Sequence, residues 1–222
     1  MKRRDHPAFV SALLLALVLL GAGVPASAQT PLDPSLLPKF DVPMTQPPIL
    51  DGTATTAATP IQIQMSEFQQ MILPPAFYPP AFSAGTYLWG YNGVYPGPTV
   101  AALRGTPTWV HYVNNLKTTD GSPLFLQQSI KVDETLHWAD PLGTGHSMEQ
   151  YLGPAPACVH LHGGEVPSCY DGGPNAWWTP GFAQKGPGFV TDTYMYPNQQ
   201  EPTTLFYHDH VLGMTRTNLY SG

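Results

Sequence analysis

The sequence predicts an all-β protein built as a Greek-key sandwich or barrel, and three observations carry that expectation. Short segments from residue 61 onward alternate apolar and polar side chains with the period of two that suits a half-buried strand. Gly- and Pro-rich turns separate these segments. Twenty-six prolines and 21 glycines in 222 residues leave little room for long helices.

The chain opens on Lys2-Arg3-Arg4, an apolar run from Ala8 to Val24, and Ala26-Ser27-Ala28 before Gln29. That order of basic, apolar and small residues is the pattern of a cleaved secretory signal, so residues 1–28 are expected to be a leader and the protein to be exported, to the periplasm or beyond. No membrane span is expected after cleavage. Without the leader the chain keeps six basic and fourteen acidic side chains, a net charge of −8. Such a surface argues against nucleic-acid binding, which needs basic patches.

Residues 29–60 are rich in proline, and Thr53 to Pro60 is close to low complexity. This stretch is expected to be an extended N-terminal arm. Residues 61–222 are then expected to form one domain. Its strand-like segments are Ile61 to Met65, Thr86 to Trp89, Thr108 to Val113, Ala157 to His162, and Thr204 to Tyr207.

Two of these segments run into histidine pairs, His160-Leu161-His162 and His208-Asp209-His210. On a strand, residues i and i+2 face the same way with Cα atoms roughly 6.5–7 Å apart, so each pair offers two imidazoles to one side. One such pair in a β protein is commonly an outward polar face. Here four of the chain's eight histidines fall into two short motifs, and Gly163-Gly164 follows the first, where the backbone must turn close to something bulky. Four imidazoles without a carboxylate or thiolate suit copper, zinc, iron or nickel.

The run Tyr91-Asn92-Gly93-Val94-Tyr95-Pro96-Gly97-Pro98-Thr99-Val100, then Arg104-Gly105 and Trp109 to Leu116, resembles the N-terminal signature of the multicopper oxidases. The resemblance is to the bacterial branch that includes spore-coat laccase, bilirubin oxidase and phenoxazinone synthase. His160 to Gly163 is similar to that family's first copper motif. Tyr196 to Gln200, Tyr207 to His210 and Thr215 to Tyr220 resemble the approach, core and exit of its second. The resemblance covers roughly residues 31–222, and it implies a cupredoxin-like (plastocyanin-like) fold.

The family assignment implies a role for each histidine. His160 would bind the type 2 copper, and His162, His208 and His210 the type 3 pair, half of the ligands of a trinuclear cluster. The implied reaction is one-electron oxidation of phenolic or similar substrates, or of metal ions, coupled to reduction of dioxygen to water. A type 1 copper needs a thiolate with two imidazoles, and no cysteine here has a histidine neighbour. Met214, four residues past His210, is expected to be core packing. The family uses three cupredoxin domains, whereas 222 residues less a leader hold about one. Relatives also continue beyond the point matching Gly222 into a further apolar strand. The chain is therefore expected to be an N-terminal fragment whose barrel lacks its last strand, inactive by itself and needing the missing C-terminal domains.

Cys158 and Cys169 are expected to form a disulfide in an exported protein; the competing reading has Cys158 sharing the histidine face as a thiolate ligand. Asp171, in Tyr170-Asp171-Gly172-Gly173, matches by resemblance an acidic residue near the cluster that would orient a ligand or assist protons. Its alternative is a turn aspartate before glycine. Asp209 is expected to point away from the metal in a structural role, and His111, His137 and His146 to be non-ligands. Two rivals stand beside the oxidase reading. One is a non-catalytic exported copper-binding protein. The other is a zinc hydrolase, although the binuclear H-x-H-x-D-H pattern is absent.

Overall fold

The computed structural model describes residues 32–41, 43, 46–147 and 149–222. The expected leader, residues 1–28, lies outside them. The described residues up to Pro43 and those from residue 46 onward belong to separate compact units. Among the described residues of the first there is a 3-10 turn, Pro34–Leu36, before which the Asp33 carboxylate accepts from Ser35 N at 2.8 Å. No described helix is long and apolar enough to cross a membrane.

Among its described residues the larger unit has eight strands and two short α-helices. The strands are β1 Ile49–Asp51, β2 Ile61–Gln70, β3 Thr86–Tyr91, β4 Thr99–Ala101, β5 Thr108–Asn114, β6 Val159–Leu161, β7 Thr193–Tyr196 and β8 Tyr207–Asp209. The helices are α1 Phe125–Ser129 and α2 Thr215–Ser221. Strands β3, β2, β5 and β7 form one sheet in that order, with β2 and β5 parallel and the outer pairings antiparallel. Strands β1 and β4 pair in parallel, and β6 and β8 antiparallel.

Alternation in the sequence becomes burial in β5. Thr108, Val110, Tyr112 and Asn114 face inward while Trp109, His111 and Val113 are half-buried. Ile63 and Met65 of β2, Val110 and Tyr112, and Tyr194 and Tyr196 of β7 make an apolar face. That face packs on Ala157, Val159, Leu161 and Tyr207 beside the histidine strands, so the two layers enclose one core. The tyrosines keep their polar ends paired: the Tyr112 and Tyr196 hydroxyls meet at 3.0 Å. Buried Asn114 donates to Ala155 O and Trp178 O at 2.9 and 2.7 Å, tying the end of β5 to the approach of β6.

The arm expected to reach Pro60 is shorter than its composition suggested. Ile49–Asp51 pair with Thr99–Ala101, Gly52 N donates to Ala101 O, and the Thr108 hydroxyl donates to Gly52 O at 2.9 Å. Thr55 Oγ1 accepts from Trp109 N at 2.8 Å, so part of the low-complexity stretch supplies hydrogen bonds to the edge of β5. A run of small polar residues without apolar periodicity gave no sign of this. Strand β7 was likewise not anticipated, and the Thr215–Ser221 exit of the second histidine motif is a helical turn.

Glu67 of β2 shows how strand and helix are joined. Its carboxylate accepts from Phe125 N and Leu126 N at 2.9 and 3.0 Å, the first free donors of α1, and from Trp89 Nε1 at 3.0 Å.

Candidate metal centre

Strands β6 and β8 bring the two histidine pairs together. His160 stands directly opposite His208 in the ladder. The register extends past both strand ends, with His162 N donating to Phe206 O and His210 N to Cys158 O, each at 2.9 Å. The four rings then form one patch. From His160 the ring centroids of His210, His208 and His162 lie 5.0, 5.6 and 5.9 Å away. His162 and His208 are 5.3 Å apart, and His208 and His210 5.8 Å. His208 is buried, His160 and His210 are half-buried and His162 is exposed, so the patch is open on one side.

Backbone carbonyls fix two of the tautomers. A carbonyl can only accept, so His160 Nδ1 must carry the proton it donates to Asp171 O at 2.7 Å, and His208 Nδ1 the one it donates to Asp209 O at 2.7 Å. In both rings Nε2 is therefore the unprotonated nitrogen. His208 Nε2 lies 3.1 Å from His162 Nδ1. Two ligands on one tetrahedral ion with bonds of 2.0–2.1 Å stand roughly 3.3 Å apart, close to that spacing. Burial, with the neighbouring imidazoles, pushes the His208 pKa down in spite of its backbone hydrogen bond, which favours the neutral ring that binds metal. His210 Nδ1 is buried with no partner among the described residues. This donor set fits a divalent or cuprous copper ion. Among the described residues no three donors converge on one point, so the nitrogens are offered singly and in pairs.

Asp171 sits beside His160, but the bond runs through its backbone oxygen; its carboxylate Oδ1 is 3.4 Å from the same Nδ1. Gly172 makes that approach possible. Its φ is +66°, and a Cβ there would lie 1.7 Å from Val159 O in β6. Asp209 turns away from the patch, as alternation requires. Its carboxylate accepts from Cys158 N, Val211 N and Asn218 Nδ2 at 3.0, 3.1 and 3.0 Å, stitching β6, β8 and α2 together. Burial pushes its pKa up to about 7 against these three donors.

The cysteines depart from expectation. Cys158 and Cys169 are both free, the first buried and the second exposed. Cys158 packs among Trp138, Tyr151, Trp177, Val211 and Met214 and turns its thiol to Gly173 O at 3.2 Å, away from the exposed 3-10 turn that holds Cys169. Burial, then the charge of Asp209, pushes the Cys158 thiol pKa well up, which disfavours the thiolate the rival reading required. Met214 is core packing in the same cluster. His111 pairs with Asp192 at 3.0 Å, His146 Nδ1 donates to Glu134 O at 2.7 Å, and His137 is exposed, so none of the three joins the patch.

Two contributors escaped the sequence reading. The Tyr207 hydroxyl donates to Pro98 O at 2.6 Å, and its ring meets that of Tyr91 at 4.8 Å, which docks the Tyr91–Val100 signature on the second histidine strand. Phe206 lies on the histidine side of its strand, a placement that the i, i+2 spacing of residues 206, 208 and 210 could have signalled.

A β-sandwich carrying paired histidines on adjacent antiparallel strands defines a cupredoxin-type domain with a candidate metal site. The chain belongs to the multicopper oxidases, a family of copper-dependent oxidases. It is 42% identical to a laccase of Bacillus subtilis over 138 residues, 62% of this chain and 24% of that protein. It is 33% identical to multicopper oxidase LPR1 homolog 1 of Oryza sativa over 226 residues, 96% of this chain and 35% of that protein. The chain thus spans between a quarter and about a third of these relatives' length. The fold is shared with a solved laccase of Pediococcus acidilactici, with a TM-score of 0.51 at 19% identity, covering 84% of this chain and 29% of that one. No family model matches the chain.

Proposed function

We propose that this chain supplies the first-domain half of a trinuclear copper cluster in an exported, laccase-like oxidase. In this reading His160 serves the type 2 copper and His162, His208 and His210 the type 3 pair. The observation that carries the proposal is the register of β6 against β8, which places His160 opposite His208 and gathers all four imidazoles on one open patch. Four ligands shared among three ions leave one or two for each, in keeping with nitrogens offered singly and in pairs among the described residues. The remaining histidines, and the type 1 copper that accepts electrons from the substrate, belong to further cupredoxin domains of the kind the longer relatives have room for.

Bound copper would supply one-electron steps that together reduce dioxygen to water, drawing on phenolic or similar reductants or on metal ions. The protein's part is positional. Asp171 O and Asp209 O hold His160 and His208 with their protons on Nδ1 and Nε2 unprotonated. The Asp171 carboxylate, 3.4 Å from the His160 ring, can hold a proton at Oδ1 beside the patch, where reduction of oxygen consumes protons. The Lys2-to-Ala28 leader pattern supports export.

Copper titration of the purified chain, followed by electron paramagnetic resonance and visible absorption, tests this reading. A plain cupric signal without an intense blue thiolate band is expected, and it should be lost when His160, His162, His208 and His210 are all changed to Ala. Undiminished copper uptake by that variant would overturn the assignment, and oxygen-dependent turnover of a phenol by the isolated chain would overturn its role as a half-site.

A further inference from the structure

Phe206 is a large apolar side chain left 58% exposed, yet its ring is not idle. It lies nearly parallel to His162, with centroids 4.6 Å apart and planes at 17°, and nearly parallel to His208, at 4.9 Å and 24°. Its carbonyl also accepts the His162 N–H at 2.9 Å. Phe206 therefore touches, with ring and backbone, the same two histidines whose nitrogens approach at 3.1 Å.

Those histidines differ in what else holds them. The His208 ring is buried and anchored through Nδ1 to Asp209 O. The His162 ring is exposed, and among the described residues its one ring hydrogen bond is the contact to His208. An imidazole held by so little can turn about its terminal side-chain torsion, which is broad and soft. A flat aromatic face against it restricts that turn, because tilting the ring forfeits the stacked contact. We propose that Phe206 is a positioning residue for the metal: it holds His162 and His208 with their nitrogens facing each other at the spacing that two ligands of one ion require. This inference rests on the reading of the patch as a copper site and adds a residue that binds no metal itself.

The test compares the whole chain with Phe206→Ala, Phe206→Leu and Phe206→Trp. Copper(II) affinity is measured by competition with a chelator, the cupric resonance is recorded at substoichiometric metal, and the thermal midpoint is taken without metal. Phe206→Trp keeps a flat face and should bind like the parent. Phe206→Ala should weaken binding about tenfold, the order seen when groups supporting metal ligands are removed. Phe206→Leu keeps apolar bulk without the flat face, so it should follow Ala in affinity and in an altered resonance while its metal-free midpoint stays near the parent's. Leu and Ala variants that bind copper as tightly as the parent, with an unchanged resonance, overturn the inference and leave the copper site standing. A parent chain whose copper uptake survives His162→Ala and His208→Ala overturns the metal reading, and the role of Phe206 falls with it.

Discussion

The adjacent glycines at 172 and 173 give the sharpest test of how the first histidine strand is held. Gly172 has φ +66°, and a Cβ on it would lie 1.7 Å from Val159 O, 2.6 Å from Val159 C and 3.2 Å from His160 Cα. A Cβ at Gly173 would meet nothing within 4 Å. Gly172→Ala must separate two backbones by roughly 1.5 Å to restore van der Waals contact. It also pays about 1–2 kcal/mol for a left-handed alanine and about 1–3 kcal/mol for overpacking, together about 2–5 kcal/mol. For a domain of this size that corresponds to a fall of roughly 4–20 °C in thermal midpoint. Because Asp171 O must move with its neighbour, the 2.7 Å bond that fixes the His160 tautomer is expected to break as well, and copper affinity should fall. Gly173→Ala is expected within about 0.5 kcal/mol of the parent. Urea and thermal unfolding followed by circular dichroism, with a copper titration of each variant, decide the matter. Equal stability and equal copper affinity for the two alanine variants would refute the argument that the 171–173 turn is pressed against β6.

Other expectations follow from single contacts. Tyr207→Phe removes the donor to Pro98 O and should cost about 1 kcal/mol in urea unfolding; no loss would mean that the signature loop docks by packing alone. Thiol titration of the native chain should modify Cys169 quickly and Cys158 only on unfolding, and the mass should not change on reduction; a two-dalton gain would restore the disulfide. The depressed pKa of His208, caused first by burial, has a defined sign. The unfolded ring takes up a proton near its ordinary value of about 6.5 while the folded ring resists, so this contribution to stability is full above that pH and is lost as pH falls below it. His208→Gln should flatten the metal-free stability profile below about pH 6.5, and an unchanged slope would count against the assignment.

Much of the site was legible in the sequence because its logic is local. Two H-x-H pairs on strands must each present two rings to one side, and Asp209 between two ligands must face the other way, where it is found holding Cys158 N, Val211 N and Asn218. The alternation in Thr108–Asn114 likewise named its buried face. The misread positions share a physical reason: their partners are distant in the chain or make no periodic pattern. Strand β1 exists because residues 99–101 lie beside it, and Thr55 matters because the start of β5 is near, where Trp109 N donates to it. Spacing alone allowed a Cys158–Cys169 bridge, but the direction in which each residue packs separates a buried thiol from an exposed turn.

By itself the sequence determined a β-sandwich, the four histidines and their pairing, because period-two alternation converts spacing directly into facing. The tertiary structure decided the rest. It set the register that puts His160 opposite His208, the carbonyls that fix two tautomers, the glycine that lets Asp171 come close, and the Phe206 ring lying across two imidazoles. Apart from His208 with Asp209 O and Phe206 with His208, which are near neighbours in the chain, each depends on the meeting of segments about 10 to 50 residues apart, and such contacts are fixed by the packing of the two layers, not by the preferences of any one strand.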